Sequence, residues 1–185
     1  MKALLAVSRW IDILNERVGH GAYWLVLVMV LISAGNATIR YSLNMSSNAW
    51  LEVQWYLFAA VYLLCAGYTL LRNEHIRIDV VAGRFPRRVQ LWIDVVGTLL
   101  FLFPMAAIIA VLSWPMFTES FTGAEMSGDA GGLVRWPVKL LIPVGFSLLL
   151  LQGLSELIKK VAILAGRLPD PGTQGGHGNL LAEKE

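Results

Sequence analysis

"LLCAGYTLLRNEHIRIDVVAGRFPRR" occupies residues 63–88. It is uncharged as far as Leu71, and from Arg72 onward it holds five arginines, two acids and His75. The stretch that follows, "VQLWIDVVGTLLFLFPMAAIIAVL" (89–112), is apolar again, with Asp94 its single charge. A dense charged hinge between two long apolar runs is the pattern of a helical hairpin whose turn is held at a membrane surface. Crossing ~30 Å of hydrocarbon takes about 20 residues at a rise of about 1.5 Å each.

Two further apolar runs flank this pair. Together they give spans at about 23–40, 50–71, 89–114 and 136–158. None shows the strict alternation of a barrel strand, and only helices or closed barrels satisfy their backbone groups in lipid. Composition agrees. The chain is 56% hydrophobic and 15% charged, against about 25% charged in soluble domains, and its mean hydropathy is +0.60. The expected fold is an all-α membrane protein with four transmembrane helices.

Basic residues orient it. With the N-terminus in the cytoplasm, the inside segments hold Lys2, Arg9 and Arg17, then Arg72, Arg77, Arg84, Arg87 and Arg88, then Lys159, Lys160, Arg167 and Lys184. These are twelve of the fifteen lysines and arginines. Arg40, Arg135 and Lys139 fall outside. Both termini are therefore expected in the cytoplasm, and the basic residues serve topology and lipid rather than nucleic acid. Trp24, Trp50, Trp55, Trp92, Trp114 and Trp136 stand near span ends, where amphipathic rings favour the interface.

Residues 1–19 form a separate expected element. Leu4, Val7, Ile11, Leu14 and Val18 recur at helical spacing, with Lys2, Arg9, Asp12 and Glu16 on the other side. This predicts an amphipathic helix lying in the interface, with a turn at Gly19–Gly21 into the first span. A cleaved signal peptide fits less well, because the stretch before span one is long and patterned. The four-helix domain covers 20–160. Residues 161–185, rich in Gly and Pro, read as a largely disordered cytoplasmic tail.

The search for chemistry turns up little. The single cysteine, Cys65, forms no disulfide within the chain, and no Cys/His metal spacing exists. Phosphate-binding loops, nucleophile elbows and zinc-protease motifs are missing. No acid lies at the middle of a span, where a small ion-coupled transporter would place one. No enzyme, no cofactor and no metal are expected. Glu52 and Gln54 lie near the outer end of span two, where they either reach water or face another membrane protein. His75 and Asp79 stand four apart, close enough to pair on a helical turn.

With these features in view, "WLEVQWYLFAAVYLLCAGYTLLRNEHIRIDVVAGRFPRRVQLWIDVVGTLLF" (50–101) resembles the small, DctQ-like membrane subunit of tripartite ATP-independent periplasmic (TRAP) transporters. The likeness rests on Glu52, on Trp55 and Tyr56, on Arg72, Glu74, His75, Ile76 and Asp79 in "RNEHIRID", and on Pro86, Arg87 and Arg88. It implies a non-catalytic subunit of the bacterial inner membrane. Its implied partners are a large membrane subunit that moves substrate, and a periplasmic solute-binding protein. It also implies organic-acid symport driven by an ion gradient, with sodium the expected ion. The competing readings are a self-sufficient four-helix transporter and a membrane assembly protein.

Overall fold

The computed structural model describes residues 2–45, 47–72 and 85–169. The charged hinge with Glu74, His75 and Asp79, and the tail from Asp170 with His177, lie outside the described residues. Among the described residues five α-helices follow in order: α1 (Lys2–Leu43), α2 (Asn48–Leu71), α3 (Arg87–Gly97), α4 (Phe103–Thr122) and α5 (Trp136–Leu164). A π-helical segment, Thr98–Leu102, joins α3 to α4 without a break. Four continuous helical stretches are long and apolar enough to cross a membrane: Ala3–Leu43, Asn48–Leu71, Arg87–Thr122 and Trp136–Leu164.

The π segment has a local cause. Pro104 has no N–H to offer the carbonyl four residues earlier, and its ring crowds that turn. Widening the helix by one residue just before Pro104 relieves both problems.

The bundle inverts the packing of a soluble protein. Its buried apolar positions are mostly small, Ala22, Ala60, Ala106 and Ala162 among them. The large side chains face outward: Phe101 is 75% exposed, Leu112 70% and Val111 69%. Lipid tails supply no hydrophobic drive between helices, so small residues that let backbones approach carry the contacts. A Cβ at Gly145 would lie 2.7 Å from the Leu63 carbonyl oxygen, which ties α5 closely to α2. α5 is the central helix, touching α1, α2 and the third span.

One expectation changes here. The chain does not turn at Gly19–Gly21, and α1 runs unbroken from Lys2 to Leu43. At about 1.5 Å per residue it is roughly 63 Å long, about twice the hydrocarbon thickness. Gly19 serves contact rather than a turn, since a Cβ there would meet the Tyr68 ring at 2.4 Å. Within residues 2–19 the apolar stripe is split, with Ile11 buried, Val18 half-buried and the rest facing outward. Leu4, Val7 and Leu14 are exposed, while Ser8 and Asn15 are buried against α5.

Candidate functional site

Two polar clusters lie at opposite ends of the bundle. The first is at the hairpin end, where α1 joins α2 and α4 joins α5. Residues 125–135 fold as a small hairpin, with a bridge between Met126 and Val134. The Ser127 amide donates to the Leu133 carbonyl at 2.9 Å, and the Arg135 amide to that of Glu125 at 2.9 Å. Gly131 takes a φ of +73° at the tip, a conformation that suits glycine.

The start of α2 holds this hairpin in place. Glu52 accepts the Ser127 hydroxyl and, at 2.6 Å, the Leu133 amide. The Tyr56 hydroxyl donates to the Val134 carbonyl at 3.1 Å, and the Asn48 side-chain amide to Ala130 at 3.1 Å. Gly132 must be glycine for this fit, because a Cβ would fall 2.9 Å from a Glu52 carboxylate oxygen and 2.5 Å from the Ser127 Cβ. From the loop's other side, Glu125 pairs with Lys139. Hydrogen bonding to Lys139 holds the Glu125 carboxyl below the usual glutamate range.

The second cluster, at the N-terminal end, joins α1 to α5. Asp12 accepts from Gln152 at 2.9 Å, from Ser155 at 2.7 Å and from Lys159 at 3.1 Å. Asn15 donates to Gln152 at 3.0 Å, and the Ser8 and Ser155 hydroxyls lie 2.7 Å apart. Lys159 also pairs with Glu156, and Lys160 pairs with Asp94 of α3 at 3.0 Å. Nearby, Arg72 pairs with Glu16 at 2.8 Å and lies over the Tyr68 ring. His20 and Tyr23 complete an exposed ring cluster with Tyr68.

The structure thus separates residues that stand together in the sequence. Glu52 and Tyr56 are engaged within the chain, whereas Trp55 is 76% exposed. Gln54 lies on a different side of α2, in a cleft with Met29, Val30 and Ser33 of α1. Its side-chain nitrogen there is buried without a hydrogen-bond partner. Arg72 binds α1. The network of Ser8, Asp12, Asn15, Gln152, Ser155 and Lys159 was not anticipated. Its signal was present in two polar sets at three- and four-residue spacing, one on each helix. Among the described residues, no group of three or more His, Cys, Asp or Glu side chains gathers as a metal site requires.

Comparison with known proteins agrees with the bundle. The family described as "Tripartite ATP-independent periplasmic transporters, DctQ component" matches residues 11–162. Searches of curated proteins and of solved structures returned no match.

Proposed function

This chain belongs to the DctQ component family of tripartite ATP-independent periplasmic transporters, and from that premise we propose that it is the fixed body against which a large permease subunit works. In this reading the large subunit takes up an organic acid, driven by an ion gradient, with sodium the expected ion. A periplasmic binding protein delivers the substrate. The N-terminal end faces the cytoplasm and the 125–135 hairpin faces the periplasm of a bacterial inner membrane. Arg9, Arg17, Arg72, Arg87, Arg88 and Arg167 all stand at the N-terminal end, which supports that orientation.

The observation that carries the scaffold reading is the internal pairing of the charges on the spans. Asp12, Glu156, Asp94 and Glu52 each bind a partner in another helix, the same helix or the hairpin. Charges used in this way fasten helices to one another, as a rigid support requires. We assign Gln54 and Trp55 to the contact with the large subunit. Trp55 brings an exposed ring and Gln54 lines the cleft beside it, and polar side chains across helices are a means of association in lipid. Co-purification tests the assignment. A tagged chain should retain the large subunit in mild detergent, and the Gln54→Leu, Trp55→Ala double variant should retain at least several-fold less. Undiminished retention by that variant would move the contact elsewhere, and no retention by the wild type would remove the scaffold reading.

A further inference from the structure

The π turn that accommodates Pro104 leaves one backbone acceptor over. Phe103 donates its N–H to the Thr98 carbonyl, five residues back. The same i→i+5 pattern sends the Leu102 N–H to Gly97. The Leu99 carbonyl would next receive from Phe103, whose N–H is engaged, or from Pro104, which has none. Among the described residues no side chain makes up the loss. The hydroxyl nearest in sequence, that of Thr98, donates backwards to the Asp94 carbonyl at 2.8 Å. Leu99 lies on an outward side of the third span, and its neighbours along that side, Trp92 and Val96, are exposed too.

Position makes the unpaired acceptor unfavourable. Trp92 and Trp114 stand 22 residues apart, about 33 Å of helix, close to the ~30 Å of hydrocarbon. Leu99 is seven residues inward from Trp92, or about 10 Å. No water reaches the lipid-facing side at that depth, and backbone groups removed from water are rarely left without a partner.

We propose that the Leu99 carbonyl is a docking point for the large subunit, which presents to it a helix bearing a hydroxyl or carboxamide donor. The identity of this partner rests on the scaffold reading. The need for a foreign donor rests on elimination. Acyl chains hold no N–H or O–H group. A second copy of this chain fails as well. Two copies inserted the same way, and paired about a two-fold axis along the membrane normal, set equal depths against each other. Exposed at the depth of this carbonyl are Leu99, Leu100 and Phe101, and none of these side chains carries a donor. The donor therefore comes from a different polypeptide, and under the scaffold reading that polypeptide is the large subunit.

Pro104→Ala is the direct test. It restores an N–H at position 104, so the turn returns to α-helix and the Leu99 carbonyl is satisfied from within. The large subunit's donor then loses its acceptor. The full-length chain would be titrated with the large subunit in mild detergent, with assembly read by fluorescence transfer between labels on the two. Pro104→Ala should weaken assembly at least about three-fold, the factor that one average interhelical polar contact is worth in a membrane. The variant chain alone should melt no lower than the wild type, whereas a change that merely damages the fold would lower the midpoint too. Leu99→Ala trims the side chain but keeps the acceptor, and should weaken assembly less than Pro104→Ala. A photoreactive benzoylphenylalanine at Val96, one turn earlier on the same side, should cross-link to the large subunit in intact membranes. That cross-link decides alone should Pro104→Ala fail to fold. Undiminished assembly of a normally melting Pro104→Ala chain, an equal loss from Leu99→Ala, or no cross-link from Val96 would overturn the proposal and leave the scaffold reading standing. A wild-type chain that does not assemble with the large subunit would overturn both.

Discussion

Glu52, near the start of α2, accepts the backbone amide of Leu133 at 2.6 Å, 81 residues further along the chain. The same carboxylate takes the Ser127 hydroxyl. One side chain therefore ties the connection between the last two spans to the second. Glu52→Ala should leave the Leu133 amide without its acceptor. An orphaned, partly buried donor costs about 1–3 kcal/mol, so the melting midpoint should fall and exchange at the Leu133 and Ser127 amides should quicken. Glu52→Gln keeps one acceptor oxygen and should do less harm. Gly132→Ala should match Glu52→Ala, since its methyl group occupies the place of the carboxylate. Unchanged amide exchange in Glu52→Ala would show that the hairpin holds without it.

The N-terminal network makes a second prediction. Asp12→Ala removes the acceptor shared by Gln152, Ser155 and Lys159. Interhelical polar contacts in membranes average about 0.6 kcal/mol each, so the loss should be roughly 2 kcal/mol and should loosen residues 2–19 on α5, held then by the Ser8–Ser155 and Asn15–Gln152 bonds. Arg72→Ala removes a pair whose two side chains are 45% and 43% exposed, and should cost less than about 1 kcal/mol. Thermal unfolding of both variants in one detergent gives the comparison. Equal losses would contradict the burial argument.

Acid should loosen the hairpin only far below neutrality. Pairing with Lys139 depresses the Glu125 carboxyl. A carboxyl depressed in the folded state contributes stability above its unfolded value and loses it as pH falls through the folded one. Exchange at the Arg135 amide, bonded to the Glu125 carbonyl, should therefore show no opening transition between pH 8 and about pH 5. Lys139→Ala should move the transition up toward the ordinary glutamate range. A wild-type transition near neutrality would contradict this.

Orientation is open to thiol labelling in a Cys65→Ser background. Cysteines at Ser47 and Gly128 should react with an impermeant reagent added from the periplasm, and a cysteine at Arg167 should not. The reverse pattern would turn the molecule over.

The spans were legible because lipid demands some twenty apolar residues in a row, and few other structures do. The course of α1 was not. Gly19 and Gly21 read as a turn, yet a glycine also lets a ring such as that of Tyr68 come close, and sequence alone does not separate the two uses. Ser8, Asp12 and Asn15 turn toward α5 for a related reason. Amphipathic logic sends polar groups toward water, whereas beside lipid they turn inward to find one another. Glu52 stood out in the sequence, but Ser127 and Leu133 are too distant along the chain for any spacing rule to join them to it.

The central claim is that this subunit supports transport without performing it. Proteoliposomes holding the chain alone, the large subunit alone, or both, supplied with the binding protein and a radiolabelled organic acid under an inward sodium gradient, test it most directly. The account predicts saturable uptake only when both subunits are present, and none from this chain by itself. Saturable uptake by this chain alone, or full uptake by the large subunit without it, would contradict the account.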